Sequence, residues 1–391
     1  MKRISIVIAV MALFVSLQAQ ESSVYTFSVV KENPITSVKN QSSSGTCWSF
    51  SGVGFLESEL LRMGKGTYDL SEMYIVRRNY IDKADKTARL HGNLNFAPGG
   101  SFADVVETID EYGIIPDEAY PGLNYGSPTH NHGEMDGILS SYIKSFEGKT
   151  TLSPVWNKGI IGVLDAYLGE VPQTFTYNGK QYTPQSFAES LGLKESDYVS
   201  LTSFMHHPFY AAFPIEVPDN WRWANSYNLK LDELIETIDN AIMNGFTIAW
   251  AADVSEAGFN NSGIGIIPDE NAPENAGSDQ AKWLGLSSRE KTAAIRGKLG
   301  SEILKEKTIT QEDRQKDFDN FGTTDDHGMQ IFGIAKDQKG NKYYMVKNSW
   351  GEAGPYKGIW YVSEPYVRYK TLTIVVNKKS VPVSIAKKIG I

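Results

Sequence analysis

Cysteine is nearly missing from this chain: Cys47 is the only one among 391 residues. A single cysteine excludes an internal disulfide framework and a cysteine-rich zinc site. The 38 basic residues are outnumbered by 46 acidic ones. The resulting formal net charge of −8 argues against a protein that binds nucleic acid or an anionic membrane surface. Hydrophobic residues make up 41% of the chain, which excludes a disordered protein. We therefore expect a folded protein with no disulfide cross-links and no nucleic-acid partner.

Long hydrophobic runs are missing too, except at the N-terminus. Lys2 and Arg3 precede an apolar run over residues 4–17, and the small residue Ala19 follows it. The run is shorter than the roughly 20 residues of a membrane-spanning helix, and the whole arrangement is typical of a secretory signal peptide. We expect removal of residues 1–20 and a secreted or periplasmic protein without a membrane span. An uncleaved membrane anchor is the alternative.

Cys47 needs an explanation, because exported proteins usually pair their cysteines. Small and polar residues precede it, and an apolar helical periodicity begins at Phe50. This pattern places Cys47 near a helix N-terminus, where unpaired N–H groups and the helix dipole favour a thiolate. Gln41 lies upstream on a loop that can fold back. Its amide and the Cys47 N–H would together hold a developing oxyanion.

A second group of candidate residues lies far downstream. Two apolar-rich segments flank a turn at residues 339–341 and predict a β-hairpin. His327 begins the first strand and Asn348 ends the second, so antiparallel pairing brings them together. The Asn348 amide oxygen would then accept a hydrogen bond from one imidazole nitrogen and leave the other facing the thiol. Trp350 would cover that hydrogen bond.

Four short motifs around these residues resemble the papain-like cysteine peptidase family. The family signature is Gln, then Cys-Trp-Ser/Ala-Phe, a distant His-Gly/Ala and Asn-Ser-Trp-Gly, and all four occur here in that order. The resemblance implies a nucleophile, a base, an orienting residue and an oxyanion donor, which are Cys47, His327, Asn348 and Gln41, respectively. It also implies a substrate-binding glycine pair, Gly99 and Gly100. We predict that Trp350 is a substrate-binding residue as well.

The spacing of the motifs points to one branch of that family. Cys47 and His327 are 280 residues apart, which exceeds a compact papain core and predicts an insertion at residues 125–321. Too few residues precede Cys47 for an inhibitory propeptide. Segments at residues 182–187, 197–201 and 228–254 resemble the bleomycin hydrolase/aminopeptidase C branch. The resemblance implies an α+β, two-lobed papain-like fold with a helical left lobe, a β-rich right lobe and a large, mainly helical insertion.

This organisation divides the chain into five parts. We expect a signal peptide at 1–20, a left lobe with the nucleophile helix at 21–124, an insertion with part of the right lobe at 125–321, a right-lobe hairpin core at 322–377 and a C-terminal tail near the cleft at 378–391.

The resemblance implies a thiol peptidase that acts on peptides without a cofactor, most simply an aminopeptidase, and a ring-like homohexamer. In that branch a C-terminal arm lies in the cleft and its carboxylate blocks the far subsites. Here only nine residues follow Pro382, so the arm looks short. An open-cleft endopeptidase or dipeptidyl peptidase is therefore the alternative, and an inactive papain-fold binding protein is the alternative outside enzymes.

The remaining histidines are weaker candidates. His130 and His132 could bind a metal from a turn, but no third ligand is evident, and a polar loop is the simpler interpretation. Neighbouring His206 and His207 precede a proline and are interpreted as structural, with side chains pointing apart. We therefore predict no metal site. The acidic pair that precedes His327 is expected to raise the pKa of its imidazole.

Overall fold

The computed structural model describes residues 24–269, 287–299 and 301–391. The predicted signal peptide at residues 1–20 lies outside the described residues.

Helices and short strands alternate along most of the described chain. The helices are α1 Cys47–Arg62, α2 Glu72–Arg89, α3 Phe102–Tyr112, α4 Gly133–Lys144, α5 Trp156–Leu168, α6 Pro184–Leu191, α7 Leu231–Met243, α8 Ser288–Lys298, α9 Gln311–Asp319, α10 Glu364–Lys370 and α11 Val383–Ile389. The strands are β1 Ser28–Glu32, β2 Phe175–Tyr177, β3 Lys180–Tyr182, β4 Tyr198–Thr202, β5 Ala212–Pro214, β6 Asn225–Asn228, β7 Ile248–Ala252, β8 Ile264–Gly265, β9 His327–Lys336, β10 Lys342–Lys347, β11 Ile359–Ser363 and β12 Thr371–Asn377.

The left lobe consists of α1–α6 around one hydrophobic core. Helix α1 lies in this core because its apolar residues recur at helical spacing, and Val53, Leu56 and Leu60 are buried. Helix α3 approaches α1 at Gly52, where an added Cβ would lie 2.7 Å from the Val105 side chain. This close packing fixes the helix that carries Cys47 at its N-terminus.

The right lobe contains a ten-stranded sheet, counted over the described residues. Its order is β5-β6-β4-β12-β7-β9-β10-β11-β8, and β1 also pairs with β9. The alternation along β7 shows how both faces are covered: Ala249 packs into the left-lobe core, whereas Ile248 and Trp250 pack into a second core with α7, α10 and α11. The predicted hairpin is confirmed, because β9 and β10 pair antiparallel.

The segment at residues 125–321, predicted as an insertion, is divided between the two lobes. Helices α4, α5 and α6 enlarge the left-lobe core through buried Leu139, Leu164 and Phe187. Strands β4–β7 instead join the sheet, and α7 packs on its far face. The α+β architecture is confirmed, and the insertion therefore contributes to both walls of the cleft.

The C-terminal tail at residues 378–391 packs against α7. Helix α11 buries Ile385 and Ile389 in the second core, and Lys388 forms an ion pair with Glu233 of α7. Two isoleucines four residues apart make one apolar face, and burying that face on α7 fixes the position of the tail.

No helix in the described ranges is both long and apolar enough to cross a membrane.

Candidate active site

Cys47 is the first residue of α1, as its sequence context predicted, and Thr46 is the N-cap. The two lobes meet at this point. The Ser51 hydroxyl of α1 donates to the Gly328 carbonyl of β9 at 2.5 Å. An added Cβ at Gly328 would lie only 3.2 Å from the Trp48 Cα, so a larger residue would push the helix and strand apart.

His327 and Asn348 form the predicted hydrogen bond, with 2.8 Å between His327 Nε2 and Asn348 Oδ1. The Ser349 N–H donates to the same oxygen at 2.7 Å, and this fixes the orientation of the amide. The His327 ring therefore carries its proton on Nε2 and keeps Nδ1 as an acceptor. Trp350 lies over the pair, with 4.7 Å between its ring centroid and that of His327.

Gln41 is buried, and a loop from the other lobe holds its side chain. Its Oε1 accepts from the Ser349 hydroxyl at 2.6 Å, and its Nε2 donates to the Ser44 carbonyl at 2.7 Å. The backbone N–H of Gln41 also donates to the Ser349 carbonyl at 2.8 Å. A primary amide has two N–H bonds, so one of them remains available to a ligand beside Cys47.

Cys47, His327 and Gln41 all line one cavity of about 340 Å³ between the lobes. Gly99 and Gly100 belong to the same wall, which also includes parts of the insertion and of β12. Trp350 contacts His327 and lies outside this cavity wall. The tail at residues 378–391 contributes nothing to the lining.

The glycine pair exposes backbone to the cavity because neither residue has room for a side chain. An added Cβ at Gly100 would lie 2.8 Å from the Trp48 ring, and one at Gly99 would lie 1.9 Å from an Asp219 carboxylate oxygen. Buried Lys83 supports the segment by donating to the Gly99 carbonyl at 2.5 Å. No local sequence pattern indicates Lys83 or Asp219, because the two residues come from elements that are distant along the chain.

Comparisons with known proteins bear on the family of this chain. The family models "Papain family cysteine protease" and "Peptidase C1-like family" match residues 25–144 and 278–390, respectively. Aminopeptidase C of Lactobacillus delbrueckii subsp. lactis is 23% identical, over 93% of this chain and 83% of that protein. The mitochondrial cysteine proteinase 1 of Saccharomyces cerevisiae is 22% identical, over 95% of this chain and 80% of that protein.

A solved structure gives the same result for the fold. The crystal structure of PepW from Lactobacillus rhamnosis HN001 has a TM-score of 0.70 and 19% identity, over 93% of this chain and 84% of that chain. The chain is a papain-like cysteine peptidase of the aminopeptidase C branch. The family expected from the four motifs is thereby confirmed.

Desolvation between the lobes controls the protonation of Cys47 and His327. It raises the pKa of the Cys47 thiol to about 12, although backbone hydrogen bonds with Gly328 and Trp48 lower it. Burial also lowers the pKa of His327 to about 4, although the hydrogen bond with Asn348 raises it. The thiolate that we expected from the helix N-terminus alone is thus opposed by desolvation. Transfer of the proton from Sγ to Nδ1 would create two adjacent opposite charges, whose attraction offsets part of that cost.

An acidic pair, Asp325 and Asp326, precedes His327. Burial raises the pKa of Asp325 to about 7, and the nearby charges of Asp219 and Asp326 raise it further. The expectation that this pair raises the His327 pKa is wrong: burial lowers that pKa, and the contribution that raises it comes from the hydrogen bond with Asn348. Asp325 thus titrates near neutral pH in the wall of the cavity.

We predict that Asp325→Asn stabilises the peptidase above pH 7. Because the folded-state pKa lies above the unfolded one, the folded protein loses stability as the pH rises from about 4 to about 7. The amide removes this loss, so urea unfolding at pH 8 should show a gain of about 1–3 kcal/mol that shrinks at pH 5. Asp85→Asn, on the exposed side of α2, is the control. An equal gain for Asp325→Asn at both pH values would contradict the prediction.

His206 and His207 do not point apart as we expected. Both Nε2 atoms contact the Glu216 carboxylate, at 3.1 Å and 2.6 Å. Their ligand atoms and a Glu216 oxygen lie within 4.8 Å of one another, which is a spacing that a metal ion could bridge. The cluster was not predictable from the sequence, because Glu216 lies nine residues beyond His207, on the other side of β5.

His130 and His132 lie close together, with 5.5 Å between their ring centroids. Burial lowers the pKa of His132 to about 4, and the neighbouring His130 lowers it further. Among the described residues, no cysteine, histidine or acidic side chain lies close enough to this pair to serve as a third metal ligand. The pair is therefore uncharged at neutral pH and packs beside the N-terminus of α4.

Proposed function

We propose that this peptidase is an aminopeptidase that hydrolyses peptide bonds through a Cys-His-Asn acyl-enzyme. The hydrogen bond from His327 Nε2 to Asn348 Oδ1, on the cavity that also exposes Cys47, carries the proposal. It fixes the one imidazole tautomer whose free nitrogen can accept the thiol proton.

In the acylation step, His327 Nδ1 takes the proton of Cys47 and the thiolate attacks the scissile carbonyl carbon. The carbonyl oxygen becomes an oxyanion, which accepts from the Cys47 N–H and from the free N–H of Gln41. The imidazolium then gives its proton to the leaving amine as the C–N bond breaks. Asn348 holds the ring in position while it carries this charge.

In the deacylation step, a water molecule gives a proton to His327 and attacks the thioester carbonyl carbon. The carbon–sulfur bond breaks, and the proton returns to the Cys47 sulfur. The same oxyanion donors act in both steps, because each step passes through a tetrahedral intermediate at the same carbon.

The exopeptidase assignment is supported by relatives that are named aminopeptidases. An open-cleft endopeptidase is the second candidate, and one observation favours it: the C-terminal tail packs on α7 and leaves the cavity lining to other segments.

Cleavage of matched peptides tests the proposal. The purified full chain should release the first residue from a free-amine peptide and should cleave the same peptide far more slowly when it is N-acetylated. Mass spectrometry of the products gives both the rate and the site. Equal cleavage of the two peptides at internal bonds would favour the endopeptidase.

Secretion and assembly extend the proposal. The N-terminal pattern supports export with cleavage near Ala19, and the family resemblance supports a homo-oligomer, as a ring-like hexamer. N-terminal sequencing and light scattering of the protein purified from its own host would check both. A retained N-terminus or a monomer would contradict them.

A further inference from the structure

A loop of the insertion crosses the cleft between the lobes. This bridging loop, residues 215–224, leaves the sheet after β5 and returns to it at β6. Between these strands, Arg222 forms ion pairs with Asp82 of α2 at 2.7 Å and Asp104 of α3 at 2.8 Å. The indole N–H of Trp221 also donates to Asp104 at 3.1 Å. The loop is therefore fixed to both lobes, and part of it lines the cavity.

The bridging loop places a carboxylate against the glycine pair. Asp219 lines the cavity with Cys47, and its oxygen lies 1.9 Å from where a Cβ of Gly99 would be. The Asn95 amide donates to Asp219 at 3.3 Å. Within the described ranges, Asp219 has no ion-pair partner closer than 4 Å.

Lys83, which lies near Asp219, forms its hydrogen bonds with backbone carbonyls instead of with that carboxylate. Lys83 donates to the Ala97 and Gly99 carbonyls, at 2.7 Å and 2.5 Å, and so supports the backbone beside Asp219. Its charge opposes the effect of burial, which raises the pKa of Asp219. The carboxylate is thus half-buried, held on a fixed loop and open to the cavity, where an ammonium group would be its complement.

We propose that Asp219 binds the α-ammonium group of the substrate. The inference rests on the proposed function and on the substrate-binding role that the family resemblance implies for Gly99 and Gly100. A chain lying on that segment meets the bridging loop at Asp219, so its N-terminus ends there. The loop thus sets the exopeptidase register, a role that the family resemblance gives to the C-terminal arm.

Two variants test this role, Asp219→Asn and the smaller Asp219→Ser, which cannot crowd Gly99. For each, kcat/KM is measured on a free-amine peptide and on its N-acetyl counterpart. A hydrogen bond to a charged group predicts a loss of at least about tenfold for the free-amine peptide. The loss for the acetylated peptide should be much smaller, so the preference ratio falls toward one.

The ratio separates ammonium binding from a structural role, since a damaged loop lowers both rates together. Asp85→Asn, an exposed change of the same kind on α2, should leave both rates as in the wild type. An unchanged ratio in both Asp219 variants, or equal losses for both peptides, would overturn the inference and leave the peptidase assignment in place. Failure of the wild type to cleave either peptide would instead overturn the proposed function.

Discussion

Cys47→Ala should lower turnover of a free-amine peptide by at least about ten-thousandfold, because the variant retains only substrate binding and the oxyanion donors. Cys47 is the only cysteine of the chain and lines the cavity with His327, so the substitution removes the only thiol that could accept the acyl group. Active-site titration and steady-state kinetics measure the loss.

Folding should survive this substitution. Cys47 is the first residue of α1 and is partly exposed, and alanine is a good helix former, so neither the core nor the helix start is damaged. Thermal unfolding should therefore give nearly the wild-type transition. Thr67→Ala, in the exposed loop after α1, is the control for both measurements. Wild-type turnover in Cys47→Ala would contradict the acyl-enzyme mechanism. An inactive wild type would instead favour the papain-fold binding protein.

The site was predictable from the sequence because its parts are local. A run of small polar residues before a helical periodicity specifies where α1 begins, and hence where Cys47 lies. Two alternating segments around a glycine turn specify the hairpin, and antiparallel pairing then brings His327 to Asn348. Neither step needs information about the rest of the chain.

The parts that escaped prediction depend on contacts between distant segments. Asp219 lies against Gly99 because the ion pairs of Arg222 hold the bridging loop on α2 and α3. No periodicity in the sequence predicts such ion pairs. The pKa values of Cys47 and His327 follow from desolvation, which exists only after both lobes close around them.

The C-terminal tail is a different case, because its sequence held a usable signal. Pro382 followed by Ile385, Ile389 and Gly390 is a short amphipathic helix with a proline start and a glycine stop. A helix with an apolar face must bury that face, and α7 offers the surface. The family resemblance places the tail near the cleft, whereas this local pattern describes where the tail lies.

Gln41→Ala should lower kcat by about 100- to 1000-fold with little change in KM, because an oxyanion donor acts on the transition state more than on the bound peptide. The side chain is pre-oriented for this: Ser349 holds its oxygen and Ser44 takes one of its two N–H bonds, so the remaining N–H needs no reorganisation during the reaction. Steady-state kinetics on the free-amine peptide separates kcat from KM.

Ser349→Ala is the matched variant for this second prediction, since it leaves the Gln41 amide in place and removes only the hydroxyl that orients it. Its loss in kcat should be smaller than that of Gln41→Ala, because the Ser44 carbonyl and the backbone pairing of Gln41 with Ser349 still hold the loop. A rise in KM alone in Gln41→Ala would mean that the amide binds the ground state, and the oxyanion would then depend on the Cys47 N–H. Equal losses in the two variants would show that orientation by Ser349, and not the mere presence of an amide, supplies the stabilisation.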